Sequence, residues 1–166
     1  MSKLIVVCGL SGSGKTTLST ALSRKLNVVC IHKDSLKASV YDQLGIVTQK
    51  AFMLFKALVE EQLENGVDII IEATFDFAGD EALLKQWEEK YELELTCIVC
   101  QVSASERRNR ILTRERHISH RENDVQQLAR VENHAFDYSV MPGRHILVTT
   151  DEGVEKSLGQ VLASLR

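Results

Sequence analysis

Gly9, Gly14, Lys15 and Thr16 have the types and spacing most suited to chemistry. They lie in Val6-Val7-Cys8-Gly9-Leu10-Ser11-Gly12-Ser13-Gly14-Lys15-Thr16-Thr17 and satisfy G-x-x-x-x-G-K-[ST], the Walker A pattern, with an apolar run before and a helical segment after. Glycines let the backbone turn successive N–H groups into one anion-binding cavity. Gly9, Ser11, Gly12, Ser13, Gly14, Lys15, Thr16 and Thr17 are therefore the expected nucleotide-binding set. Lys15 supplies a point charge for the β- and γ-phosphates, and the Thr16 hydroxyl suits Mg²⁺. The helix starting near Gly14 turns its positive end toward them. This pattern identifies the grip on the nucleotide and leaves the reaction open.

Transfer of a phosphoryl group needs three further parts: a group to deprotonate the acceptor, cations over the moving phosphoryl, and a carboxylate near the metal. Asp34 stands after the second apolar run, in Ile31-His32-Lys33-Asp34-Ser35-Leu36-Lys37. In a parallel sheet the carboxyl ends of the strands rim the ligand crevice, which puts Asp34 beside the phosphate loop as a general base or acceptor contact. Lys37, one turn on, is a candidate hold for an anionic acceptor. The competing role for Asp34 is that of a helix N-cap. Glu72 ends a third apolar run, Asp68-Ile-Ile-Ile-Glu72-Ala-Thr74-Phe75, in the manner of a Walker B element. It is a candidate for a magnesium-bound water or for contact with the acceptor.

The cations come from Glu106 to Arg121, which holds Arg107, Arg108, Arg110, Arg114, Arg116 and Arg121 with His117 and His120. Arg107 and Arg108 read as a solvated helix face. Thr113–Asn123, "TRERHISHREN", has little apolar periodicity and reads as a cationic lid over residues of about 113–123. Arg110, Arg114 and Arg116 are its candidates for meeting γ-phosphoryl charge as water is expelled, with Arg116 first among them. His117 and His120 have metal spacing only if helical, and no carboxylate partner is evident in the sequence.

Apolar runs alternate with helix-period segments, which predicts an α/β fold with a mainly parallel sheet. Strands are expected at Leu4–Cys8, Val28–Ile31, Asp68–Ala73, Leu95–Val102 and His145–Thr149. Helical stripes run through Leu18, Ala21, Leu22 and Leu26, then Leu54, Leu58 and Leu63 up to Asn65-Gly66, then Leu83, Leu84, Trp87 and Tyr91. Ser103-Ala-Ser-Glu106 has the form of a capping box. Asn123 is expected to cap a helix carrying Val125, Leu128, Ala129 and Phe136, and Val154, Leu158, Val161, Leu162 and Leu165 form a last amphipathic helix. The 166 residues suit one domain spanning 1–166, and the net charge of −3 creates no global attraction for nucleic acid. The start is too briefly apolar for a signal peptide, and no window suits a membrane span. Cys8, Cys30, Cys97 and Cys100 all lie in strand-like runs, as expected of free thiols in a reducing cytoplasm. Cys97 and Cys100 would point to opposite faces of a strand and so cannot clamp one ion. A GTPase switch would need an Asn/Thr-Lys-x-Asp element, which His32-Lys33-Asp34 does not provide, and AAA-type motors carry an extra helical domain for which 166 residues leave no room.

Together, the phosphate loop at the first strand, Asp34-Ser-Leu-Lys37, "IIIEATF" and the arginine-bearing lid resemble the P-loop kinases of the polynucleotide kinase, zeta-toxin and chloramphenicol phosphotransferase type, AAA_33-like ATP-binding proteins. "GLSGSGKTT" is also similar to adenylylsulfate and gluconate kinases. The resemblance implies a three-layer P-loop fold with five parallel strands in the order 2-3-1-4-5, and ATP with Mg²⁺ on Lys15 and Thr16. It implies Asp34 as general base, Arg116 as the lid arginine with Arg114 nearby on the nucleotide, and Thr149-Thr150-Asp151 near the base. Lys37 stands where the polynucleotide kinase group has an arginine, and Glu72 where aspartate is commoner. The expected activity is transfer of the ATP γ-phosphate to a hydroxyl of a small molecule or nucleotide. The alternatives are a regulatory ATPase and a 5′-hydroxyl polynucleotide kinase, the latter disfavoured by an acidic chain with 5% aromatic residues.

Overall fold

The computed structural model describes residues 1–46, 50–115, 117–119, 129 and 133–166. Five parallel strands are present: β1 (Lys3–Cys8), β2 (Cys30–His32), β3 (Ile69–Glu72), β4 (Glu94–Gln101) and β5 (Arg144–Thr149). They lie side by side as β2-β3-β1-β4-β5, the order that the resemblance implied. Six helices are described: α1 (Lys15–Leu26), α2 (Lys33–Leu44), α3 (Ala51–Glu64), α4 (Asp80–Tyr91), α5 (Ala104–Thr113) and α6 (Val154–Ser164).

Alternation along each strand divides the core in two. Leu4, Val6, Cys8, Ile69, Ile71, Leu95, Cys97 and Val99 face α3 and α4, where Phe55, Val59, Leu84 and Trp87 are buried. Ile5, Val7, Ile70, Ile98, Cys100, Ile146 and Val148 face α1 and α6, meeting Leu18, Leu22 and Val161. Strands covered on both sides have no polar face to show, which is why β1 and β3 read as apolar runs and the interior of β4 is broken only by the buried Thr96. Cys97 and Cys100 fall into opposite layers, as strand geometry requires.

The expected face of α3 is rotated. Its buried row is Ala51, Phe55, Val59 and Leu63, while Leu54 is exposed and Leu58 half-buried. Leucines at 54 and 58 made a legible stripe, but a one-residue turn of the helix buries Phe55 and Val59 instead. Phe55 also stacks on Phe52 with ring centroids 5.7 Å apart, and an aromatic anchor outweighs a leucine in buried area. The capping box is half realised. Ser103 Oγ accepts the Glu106 N–H at 3.4 Å, but the Ser103 N–H donates to Asp151 at 3.1 Å, and Glu106 turns to Arg110. Val28 and Val29 lie outside β2, and the predicted helix from Asn123 falls largely outside the described residues. Among the described residues no helix is long and apolar enough to cross a membrane.

Register brings the site together. His32 of β2 is level with Glu72 of β3, which is level with Val7 of β1. The residues that follow these three strands therefore leave the sheet at one height and border a common cleft.

Candidate active site

After β1 the chain turns through Gly9 (φ 138°), Gly12 (φ 83°) and Gly14 (φ 85°), a conformation that side chains rarely adopt. Gly9 is also required by space, because a Cβ there would lie 2.5 Å from the Cys100 carbonyl oxygen of β4. The loop closes into α1 with Gly14 as N-cap, so the helix N-terminus opens on the cavity. Lys15 is buried, and its Nζ donates to the Leu10 carbonyl at 3.1 Å. Burial lowers the Lys15 pKa from its ordinary value, opposed by the charges of Glu72 and Asp34. Thr16 Oγ1 donates to Glu72 Oε2 at 3.2 Å, joining the phosphate loop to the end of β3.

Glu72 is buried, and its Oε2 also receives His32 Nδ1–H at 3.1 Å. Hydrogen bonds to Cys30 and Glu72 push the His32 pKa up to about 10, so the ring is a cation at neutral pH and balances the carboxylate. His32 went unread in the sequence, where it looked like part of a failed guanine motif. Its signal is its register opposite Glu72.

Asp34 lies in the first turn of α2 and is not its N-cap; that position belongs to His32, whose backbone is extended. Its carboxylate is 3.5 Å from Lys33 Nζ and about two-fifths exposed, at the cleft edge where its charge reaches Lys15. Lys37 follows one turn later and is half-buried.

On the other side of the loop, α5 grips the phosphate cradle. Arg107 Nε donates to the Ser11 carbonyl at 2.9 Å, so Arg107 is no solvated bystander. Arg110 does not hang from a lid. It pairs with Glu106 at 2.8 Å and donates from Nη1 to Thr150 Oγ1 at 3.0 Å and from Nη2 to the Thr150 carbonyl at 2.8 Å. Thr150 Oγ1 in turn donates to the Ser13 carbonyl at 2.8 Å. Gly14, Thr17 and Leu18 face Arg110, Thr150 and Val154 across a cavity of about 250 Å³. Arg114 is exposed at the C-cap of α5. Arg116, His120 and Arg121 lie outside the described residues. His117 finds the carboxylate the sequence did not reveal, its Nε2 lying 2.9 Å from Asp42 Oδ1 of α2.

The arrangement suits an anion and a hard cation. Ser13 Oγ is buried without a hydrogen-bond partner, and the Lys15 ammonium rests on a neutral carbonyl. Thr16 and Glu72 offer two oxygens side by side, the donor chemistry that Mg²⁺ takes.

Comparison with known proteins gives the same fold. A candidate kinase from Chloroflexus aurantiacus J-10-fl superposes with a TM-score of 0.80 at 24% identity, covering 99% of both chains. Deoxyadenosine kinase from M. mycoides, solved with bound dATP, superposes with a TM-score of 0.63 at 17% identity over 98% of both chains. A tRNA dimethylallyltransferase from Nostoc punctiforme is 38% identical over 68 residues, which are 41% of this chain and 22% of that enzyme. The chain thus spans about a fifth of the length of that relative. The AAA domain model AAA_33 matches residues 4–135, and the chain belongs to that family.

Proposed function

We propose that the protein is an ATP-dependent phosphotransferase that moves the γ-phosphate of ATP to a hydroxyl of a small-molecule or nucleotide acceptor. The observation that carries this reading is the level register of three strand ends. It sets the Walker A loop, the Thr16–Glu72 contact and the Asp34 carboxylate around one cleft. The kinases of this fold noted above support the same reading.

In this mechanism the loop amides from Gly9 to Thr17 hold the phosphates, and Lys15 meets their charge. The cavity between Thr17, Leu18, Arg110 and Thr150 holds the nucleoside, as the resemblance implied for the Thr149–Asp151 turn. Thr16 and Glu72 would hold Mg²⁺, which would supply neutralisation of phosphate charge. His32 orients Glu72 through its Nδ1–H. Asp34 takes the proton of the acceptor hydroxyl, and Lys37 stands one turn behind it on the acceptor side. Arg114 and Arg116 are the lid cations.

The test is Asp34→Asn assayed with radiolabelled ATP against hydroxyl-bearing metabolites, nucleosides and oligonucleotides. Transfer should fall by about 10²–10⁴-fold while ATP affinity is unchanged, as for loss of a general base. Transfer at the normal rate would remove Asp34 from the chemistry. ATP turnover that no acceptor accelerates would remove the kinase reading itself.

A further inference from the structure

We propose that the loop joining β3 to α4 is the acceptor-recognition wall of this site. In this reading Asp76 selects an acceptor whose end against the wall carries hydrogen-bond donors, hydroxyls or an amine, and no phosphate or carboxylate. The inference rests on the kinase reading for the cleft and adds the class of molecule that enters it.

Among the described residues, Asp76 carries a buried side-chain oxygen that the fold leaves unexplained. It is nine-tenths buried; Oδ2 lies 3.1 Å from His134 Nε2, while Oδ1 is buried with no hydrogen-bond partner. A buried carboxylate oxygen is costly to leave unpaired, and where one persists it awaits donors. Asp76 is close enough to Asp80 and Tyr138 that its charge raises the pKa of both, although burial is the larger cause in each.

The loop around it is held rigidly and under strain. Phe75 has φ 48°, uncommon for a residue with a bulky side chain, and its ring is fully buried against Phe55. Tyr138 Oη donates to the Thr74 carbonyl at 2.8 Å, and the Phe77 N–H donates to Asp80 Oδ2 at 3.1 Å. Gly9 N–H reaches the same Thr74 carbonyl at 3.4 Å, which sets the loop directly beside the phosphate cradle. A pre-organised polar group next to the reacting centre is how a site fixes its substrate.

The open Asp76 oxygen decides the chemistry of the occupant. Around this part of the cleft stand Asp34, Asp76 and Asp80 with Lys33, Lys37 and Arg107, and His134 lies on Asp76. Lys33 is already 3.5 Å from Asp34. An acceptor with an anion against this wall would meet the Asp76 carboxylate, whereas one with hydroxyls or an ammonium would satisfy Asp76 Oδ1. A site built to hydrogen-bond a donor rejects the analogue without it strongly.

The experiment pairs matched compounds: sorbitol with gluconate, glucosamine with glucosamine 6-phosphate, and adenosine with AMP. Each is titrated calorimetrically into wild type and Asp76→Asn in the presence of AMP-PNP, and each is assayed for phosphate uptake from labelled ATP. At least one uncharged or cationic member should bind about tenfold tighter than its anionic partner. Asp76→Asn should abolish that preference while leaving AMP-PNP affinity unchanged. Preference for the anionic members, binding of none of the six, or a variant with the wild-type preference would overturn the inference. Should the variant fail to fold, the wild-type comparison decides alone. Selective binding without any phosphate transfer would remove the kinase reading and leave the recognition wall standing.

Discussion

Thr150→Val tests whether the nucleotide cradle is held from behind by β5. The substitution keeps shape and volume nearly constant and removes one hydroxyl. That hydroxyl donates to the Ser13 carbonyl at 2.8 Å and accepts from Arg110 Nη1 at 3.0 Å. Ser13 and Thr150 are both buried, so the orphaned carbonyl gains no water, a loss of about 1–3 kcal/mol. Arg110 is about a quarter exposed and keeps its bonds to Glu106 and the Thr150 carbonyl, so its share is small, about 0.5 kcal/mol. The sum is about 2 kcal/mol, or roughly 4–8 °C in melting temperature for a chain of this length. The cradle then has to be ordered by the ligand, which weakens nucleotide binding by about 1 kcal/mol. Urea denaturation and titration with a fluorescent ATP analogue measure the two effects. Thr150→Ser, which keeps the hydroxyl, should recover most of both. Equal behaviour of the valine and serine variants would refute the idea that this hydroxyl anchors the loop.

Gly9→Ala should destabilise the fold by about 3 kcal/mol in chemical denaturation, since a Cβ would lie 2.5 Å from the Cys100 carbonyl oxygen and φ is 138°. Phe55→Ala should cost about 3–5 kcal/mol and Leu54→Ala less than about 1 kcal/mol, reversing the order that the leucine stripe suggests. Asp151 has a pKa below its ordinary value of 3.8, chiefly through its hydrogen bond from Ser103 Oγ. Its contribution is therefore present above about pH 4 and lost as pH falls through the lowered value, so the urea midpoints of wild type and Asp151→Ala should converge on acidification.

Local pattern carried most of the frame. A Walker A loop needs glycines at set places, and strands covered on both faces need apolar runs, so β1, β3, β4 and the cradle were legible directly. The rotation of α3 was not, because leucine and phenylalanine both satisfy a helical period and the choice between rows depends on which ring fits against Phe75. The end of the capping box was hidden for a similar reason. Glu106 has two partners within reach by sequence, and Asp151, 48 residues away from Ser103, takes the place the motif assigned to it. Asp34 as base and Glu72 at the metal were inferred from strand ends: register sets Glu72 level with His32, and Asp34 follows two residues later in the first turn of α2.

The arginines show where charge counting reaches its end. By sequence Arg107 reads as a solvated helix face and Arg110 as a lid cation, yet both fasten α5 to the phosphate cradle, at the Ser11 carbonyl and at Thr150. Helical spacing explains the split, since residues three apart share a face, and that face turns toward the phosphate loop. Arg114 follows at four residues further, where the helix ends and its backbone turns extended. The same row of cations therefore divides at Arg114 between a fixed clamp on the cradle and the start of the segment proposed to close over it. Replacing Arg110 should accordingly loosen the fold and the nucleotide together, whereas replacing Arg114 should leave stability intact and act on transfer alone.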